Sequence, residues 1–430
     1  MAHEDVKSYI LEPERKAASD QSDHQSEQHE KLISEYHDWI LTSKPPSANF
    51  LPRVHTEAIG RLRQLPSDDK KRILIRLAYG KIYDLYKDAP WYRGTWTDCL
   101  WDLSLQQMAL EQDPRVRKSM QLSARLWCSE AADRNPGVGR FHYGLAELAP
   151  TKLDKLFHCS KSVCSNEYSQ SGEVLLATCL DEVLDEQDPF YSAYLKAHQQ
   201  LFKKESTELC VESIERAWAL LDSNLSGTTH KFLREGSHIT IFNICAMLEY
   251  GSSRDLRSPS LRDEARMLAY GFLITALQHD DPRALPLILV MLVFMFYVTR
   301  LDRCDAVHSL EANFPWQHLI ELQNSWLTSY PILDTIKGIE FAEHCHLFPE
   351  DFDMRGLVFT AEYYQQWAQF PDYSRRDEEN GIDDAIAHRR RKRILGLVHD
   401  IAQRGRWIHY DSEKREFSLI TDDQHLHETT

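Results

Sequence analysis

The sequence predicts an all-α protein, and three observations carry that prediction. Apolar residues recur at helical spacing along most of the 430 residues, and prolines and glycines fall between those runs rather than inside them. Sustained apolar and polar alternation, the mark of a half-buried strand, occurs only near the end of the chain. The third observation is the run 285–298, LPLILVMLVFMFYV, which is apolar for 14 residues. A membrane-spanning helix needs about 20. Asp280 and Asp281 precede the run, Arg300 and Asp302 follow it, and Pro286 fits a first helical turn. The run therefore reads as a central helix surrounded by other helices, with no membrane partner.

Taken in order, residues 1–28 are polar, offer no apolar face to bury, and read as a disordered lead-in. From Glu30 the pattern changes: Leu32, Ile33, Tyr36, Trp39 and Ile40 predict a helix that Lys44-Pro45-Pro46 ends. A second helix is expected over 52–65. Ser67 then suits an N-cap, with Asp68 and Asp69 favourably placed in the first turn of a helix that continues through Ile73, Leu77 and Tyr83 to Lys87. Pro90 breaks it. Trp91, Trp96 and Trp101 mark the next helix, where helical spacing reads as core or helix contact rather than a stacking platform for a ligand. The polar stretch 111–118, EQDPRVRK, reads as a long loop.

Residues 124–163 predict the end of one helix, a turn at Asn135, Pro136 and Gly137, a helix from about Gly139, a break at Pro150 and a third helix. Ala124 and Ala131, followed by Pro136, match the small, small, Pro positions that close a tetratricopeptide repeat. Leu145 with Ala146 match the pair that opens the next. Small side chains at those points let packed helices approach closely. Further helices are expected over 174–184, 190–202, 208–221, 239–250, 260–278, 285–298 and 316–328, with a polar joint at 223–226. The runs 407–411 and 416–420 flank SEKR and predict a short terminal β-hairpin. Between them and the helices, 371–387 is an acidic surface excursion. The run Arg389, Arg390, Arg391, Lys392 and Arg393 then leads into an amphipathic helix, and it reads as a nucleic-acid or nuclear-import contact or as a solvated face paired with the acidic stretch before it.

Net charge is -16, which argues against a surface that grips phosphate backbones throughout, so any nucleic-acid contact is expected to be local. Nine cysteines, an odd number with no Cys-x-x-Cys, read as reduced, packed thiols of an intracellular protein, in the nucleus, the cytoplasm or both. The first residues lack the apolar core of a signal peptide. Glu343-His344-Cys345-His346 is the densest ligand-like cluster. On a helix its neighbours diverge by about 100°, and no second pair at zinc spacing completes it. Gly137-Val138-Gly139 sits between helices rather than after a strand, so it is no phosphate cradle. Glu350, Asp351 and Asp353 surround Pro349 at a helix start, where carboxylates favour the N-terminal dipole. Nothing in the sequence indicates an enzyme, a metal or a cofactor.

Seven segments in order carry a resemblance: 99–111, 135–149, 153–163, 280–296, 315–330, 347–359 and 389–402. Together they resemble the telomerase-associated and nonsense-mediated-decay proteins, most closely the fungal members, which join a 14-3-3-like tetratricopeptide domain to a helical-hairpin domain. The resemblance implies a disordered 1–28, a 14-3-3-like domain over 29–222, antiparallel helical hairpins over 223–420 and a tail over 421–430. Some relatives carry a PIN-type nuclease domain after this region, and none is expected here. It further implies a non-catalytic scaffold that binds protein partners in RNA surveillance or telomere maintenance.

In such relatives the 14-3-3-like half holds a phosphorylated serine or threonine segment, with an Arg in a Gly-Asp-Leu-Ala-Arg-Tyr-Arg helix. This chain aligns Leu105 with that Arg, and Gln106 and Gln107 with the two residues after it. A second cation, Arg53 or His55, is expected nearby. Leu offers no donor where Arg would make charge-assisted bonds of about 1.5–3 kcal/mol each, so an impaired phosphopeptide pocket is expected. Two alternatives stand beside the scaffold: RNA or telomeric DNA bound through 389–393, and a diverged paralogue with a lineage-specific regulatory role.

Overall fold

The computed structural model describes residues 68–182, 188–226, 231–252, 263–329, 347–364 and 384–420, together with Lys31 and Ser34. The predicted helices before Ser67, the candidate cations Arg53 and His55, and the 343–346 cluster lie outside these residues. Among the described residues the chain forms sixteen α-helices and one two-stranded antiparallel sheet, an all-α array with a small β element. They fall into two compact units, the first ending at Ala131 and the second starting at Ala132.

In the first unit, α1 (Asp68–Asp88) packs on α2 (Arg93–Leu110), and α3 (Pro114–Arg134) begins here. Leu74, Ile75, Ala78, Ile82 and Leu85 form the buried stripe of α1, a 3.6-residue period, while Trp96, Leu100 and Leu103 form that of α2. Pro90 does break the chain, in a single 3-10 turn over Pro90–Tyr92, and Trp96 Nε1 donates to Ala89 O at 3.2 Å across it. Trp96 and Trp101 are core, as their spacing indicates. Trp91 is not: it lies in the turn rather than on the helix and is 54% exposed.

The stretch 111–118 is not a long loop. Only 111–113 separate α2 from α3, and Pro114 is the first residue of α3. Asp113 makes this possible, because its Oδ1 accepts from Arg115 N at 2.8 Å and satisfies an amide the first turn leaves open. Charge density misled the reading: a polar helix start and a polar loop have the same composition.

In the second unit, α4 (Gly139–Glu147), α5 (Lys152–Cys164), α6 (Gln170–Asp181), α7 (Pro189–Lys203) and α8 (Thr207–Ser226) pack each on the next, while α9 (Lys231–Met247) packs on α5 and α10 (Asp263–His279) packs on both α8 and α9. The expected joint at 223–226 is the last turn of α8. Next come α11 (Leu285–Val298), α12 (Asp305–Ala312), α13 (Trp316–Leu327), α14 (Pro349–Met354), α15 (Ala361–Tyr364) and α16 (Asp384–Ala402). The sequence reading did not anticipate α12. It is eight residues long, too short for its period to stand out.

Every residue of α11 except Tyr297 is buried, and α9, α10, α14 and α16 surround it. None of the described helices is long and apolar enough to cross a membrane. The turn at 135–139 is held by backbone pairing. Gly139 N donates to Glu167 O and Glu167 N to Gly137 O, both at 2.8 Å, and Asn166 N donates to Gly356 O at 3.2 Å. Gly356 has φ +81°, and a Cβ there would stand 1.9 Å from Pro136 O, so the close approach requires glycine. The Val138 and Gly139 amides of the glycine-containing turn are thus engaged by protein carbonyls.

The chain ends its described part in β1 (Ile408–Asp411) and β2 (Glu416–Leu419), with Ile408 opposite Leu419. This is the expected hairpin. Asn324 on α13 holds its edge, accepting from Phe417 N at 2.8 Å and donating to Phe417 O at 3.0 Å, so one side-chain amide takes the place of a third strand.

Candidate protein-binding surface

Two faces of α3 behave oppositely. Ala124, Trp127, Cys128 and Ala131 recur at i, i+3, i+4 and i+7 and are buried. Trp127 Nε1 donates to Tyr79 Oη at 2.9 Å, Tyr86 Oη donates to Glu130 at 2.9 Å, and both Tyr83 and Tyr86 meet the Trp127 ring edge-on. These contacts fix the rotation of α3 about its axis. On the other side Leu122 and Leu126 are each 64% exposed. At 100° per residue, Arg115, Lys118, Arg125, Leu122 and Leu126 fall within an arc of about 100°. Arg115 and Lys118 are exposed and Arg125 is half-buried. The result is a pair of leucines framed by three cations, and the one carboxylate on the same arc, Asp133, is already paired with Arg355 at 2.8 Å, so the surface suits an acidic segment that carries apolar residues.

Sequence reading missed this face because it treated 111–118 as loop, which detached Arg115 and Lys118 from the helix. The signal was present: Arg115, Lys118, Leu122 and Leu126 are spaced 3, 4 and 4 apart, out of phase with the Ala124, Trp127 and Ala131 stripe.

Leu105, Gln106 and Gln107 follow one another on α2, all half-buried. Gln106 Nε2 is buried and meets no hydrogen-bond partner among the described residues. Two neutral amides and an isobutyl group occupy these three positions, and none of them supplies a cation.

The basic run on α16 is divided by its own helix. Arg390 turns inward and makes a two-point pair with Glu350, at 2.7 and 3.0 Å, with both side chains almost fully buried. Arg393 donates to Asp351 at 2.6 Å, and both guanidinium groups lie over the Phe348 ring at 4.7 and 4.4 Å. Asp351 also accepts from Phe348 N at 2.8 Å and from Tyr364 Oη at 3.1 Å. Asp353 accepts from Ser237 Oγ at 2.8 Å, with His238 at 3.5 Å. The acidic trio at the start of α14 therefore does more than favour a helix dipole: Glu350 and Asp351 receive α16, and Asp353 meets α9. Arg391 pairs with Asp280 at 3.3 Å at the surface, Arg389 is half-buried and Lys392 is exposed.

Among the described residues no group of three or more His, Cys, Asp or Glu is arranged to hold a metal ion. No family model matches the sequence, and no curated protein matches it. Among solved structures, a chain of the C. elegans SMG5-SMG7 complex is similar at 14% identity and a TM-score of 0.48, the alignment covering 82% of this chain and 95% of that one.

Proposed function

We propose that this protein is a non-catalytic helical scaffold that recruits a protein partner through the exposed face of α3, and that the partner segment is acidic and carries apolar side chains. The carrying observation is the pair Leu122 and Leu126, left two-thirds exposed on a helix whose opposite face is fully packed. Covering both would contribute about 2–4 kcal/mol of gross apolar burial, enough to make them binding determinants. The three cations around them favour approach by an acidic chain despite the net charge of -16.

The setting in RNA surveillance or telomere maintenance, in the nucleus or the cytoplasm, rests on the resemblance carried by the seven sequence segments. Leu105, Gln106 and Gln107 support recognition that does not depend on phosphorylation. A nucleic-acid role for 389–393 is less well supported, because Arg390 and Arg393 already serve as buried partners of Glu350 and Asp351.

The test compares proteins captured by the full chain with those captured by Leu122→Asp/Leu126→Asp, followed by titration of the purified interacting segment. Selective loss of an acidic partner, with binding that weakens as salt rises and survives phosphatase treatment, is the expected result. An unchanged partner set in the double variant would remove α3 as the docking face.

A further inference from the structure

Helix α8 and the C-terminal end of α12 flank the outer face of α10 and leave an open groove of about 800 Å³. Val211 and Trp218 of α8, with Met267 and Ile274 of α10, form its apolar floor, all four half-buried. A Cβ at position 271 would stand 2.0 Å from the Trp218 ring, so Gly271 is what lets the indole rest on α10, where its Nε1 donates to Leu268 O at 3.4 Å. The polar lining is largely engaged. Arg266 pairs with Asp263 at 2.9 Å and donates to Ser309 Oγ, and Thr207 Oγ1 donates to Glu264 at 2.5 Å.

The rim adds charge of one sign. At 100° per residue, Thr207, Val211 and Trp218 lie within about 40° of one another on α8, and Glu215, Glu208 and Glu212 follow on the solvent side over about the next 100°. All three carboxylates are exposed, no Lys or Arg of α8 falls within that arc, and Arg216 lies just beyond it. At the start of α10 the Asp263 side chain is 80% exposed even while it pairs with Arg266, the one cation among the lining residues.

We propose that this groove docks a basic amphipathic helix of a protein partner, with its apolar side chains on the floor and its Lys or Arg side chains directed to Trp218 and the α8 carboxylates. Twelve residues separate Asp263 from Thr275, so the lined part of α10 runs about 18 Å, about three turns. A helix laid along that length places apolar anchors at i, i+4 and i+7. The exposed part of the indole attracts a cation through its ring face, and Glu215, one turn before Trp218, adds a carboxylate beside it. The net charge of -16 draws a basic segment towards the molecule, and the apolar floor bounded by Glu208, Glu212 and Glu215 fixes where it settles. The site lies wholly in the second unit, and it stands or falls independently of the α3 reading.

The probe is a fluorescein-labelled helical peptide of about 15 residues with Leu on one face and Lys on the other, beside a control in which Glu replaces every Lys. Titrated into the full chain, the Lys peptide is expected to bind saturably and the Glu peptide not to bind. Glu208→Lys/Glu212→Lys/Glu215→Lys and, separately, Ile274→Asn should each weaken binding about tenfold or more in protein that circular dichroism shows to be folded. Glu147→Lys/Glu167→Lys/Glu173→Lys makes the same change of charge at exposed positions on and beside α4 and α6, and should leave binding within about twofold. A benzophenone on the Leu face of the peptide should label Met267 or Ile274. Equal losses in the two triple variants, labelling away from α8 and α10, or no binding of the Lys peptide would each overturn the proposal. So would self-association of the chain that Ile274→Asn removes, which would assign the groove to a second copy. Binding that appears only after Arg254, Arg257 and Arg262 are replaced with Ser would assign it to the chain's own 253–262 segment and overturn the proposal equally.

Discussion

Replacing Arg390 with Ala tests whether the basic run belongs to the interior. The guanidinium makes two bonds to Glu350, at 2.7 and 3.0 Å, and the side chains of Arg390 and Glu350 are 3% and 2% exposed. At an effective dielectric constant of about 20, charges about 4 Å apart attract by roughly 4 kcal/mol. Removing one partner also strands the other without water, and buried pairs broken in this way lose about 3–5 kcal/mol. With a urea dependence of about 2–3 kcal/mol per molar, the midpoint for the second unit should fall by about 1–2 M. Glu350→Leu combined with Arg390→Met removes both charges and keeps much of the volume, so it should recover most of that loss. Lys392→Ala, at an exposed position two residues away, should change stability by no more than about 0.5 kcal/mol. If Arg390→Ala lies within about 1 kcal/mol of the unmodified chain, or if the double variant is as unstable as the single one, the structural account of the basic run is wrong. Substituting all five basic residues together would unfold the protein and imitate a loss of nucleic-acid binding. The nucleic-acid reading is therefore best examined at Arg389 and Lys392 alone.

Two further predictions follow from the second unit. Val293→Asp, at a fully buried position on α11, places a carboxylate among apolar side chains and should abolish soluble, folded protein, since its penalty rivals a whole domain's stability of about 5–15 kcal/mol; recovery of a folded variant would refute the central-helix assignment. His198 is held neutral by burial, its pKa lowered from 6.5 to about 3, and His142 shifts the same way, through burial and then the Lys161 charge. The unfolded chain binds these protons first as pH falls, so stability is fully present above about 6.5 and drops towards pH 3. The loss at pH 5 should be about 2 kcal/mol for His198, and His198→Gln should remove that part of the slope in urea titrations at several pH values; an unchanged slope would count against it.

The α11 span, the turn at 135–139 and the terminal hairpin were legible because each is written locally. An apolar run bounded by charges, a Pro and Gly pair, and an alternating pair of short runs have one structural solution each. The 14-residue α11 also reveals its central place, since a helix apolar on every side has to be covered on every side. The candidate site was less legible. Leu122 and Leu126 look like core in a list of residues, and Arg115 and Lys118 look like loop, until the start of α3 at Pro114 fixes their common face.

The sequence by itself determined that the chain is packed all-α and where most of its longer helices run, because their apolar periods are written locally. The tertiary structure alone decided what the charged residues do. Whether an arginine binds a ligand or a carboxylate 40 residues away, as Arg390 binds Glu350, depends on which helices meet. A helical period says which residues share a face, whereas burial of that face is settled only when another element covers it.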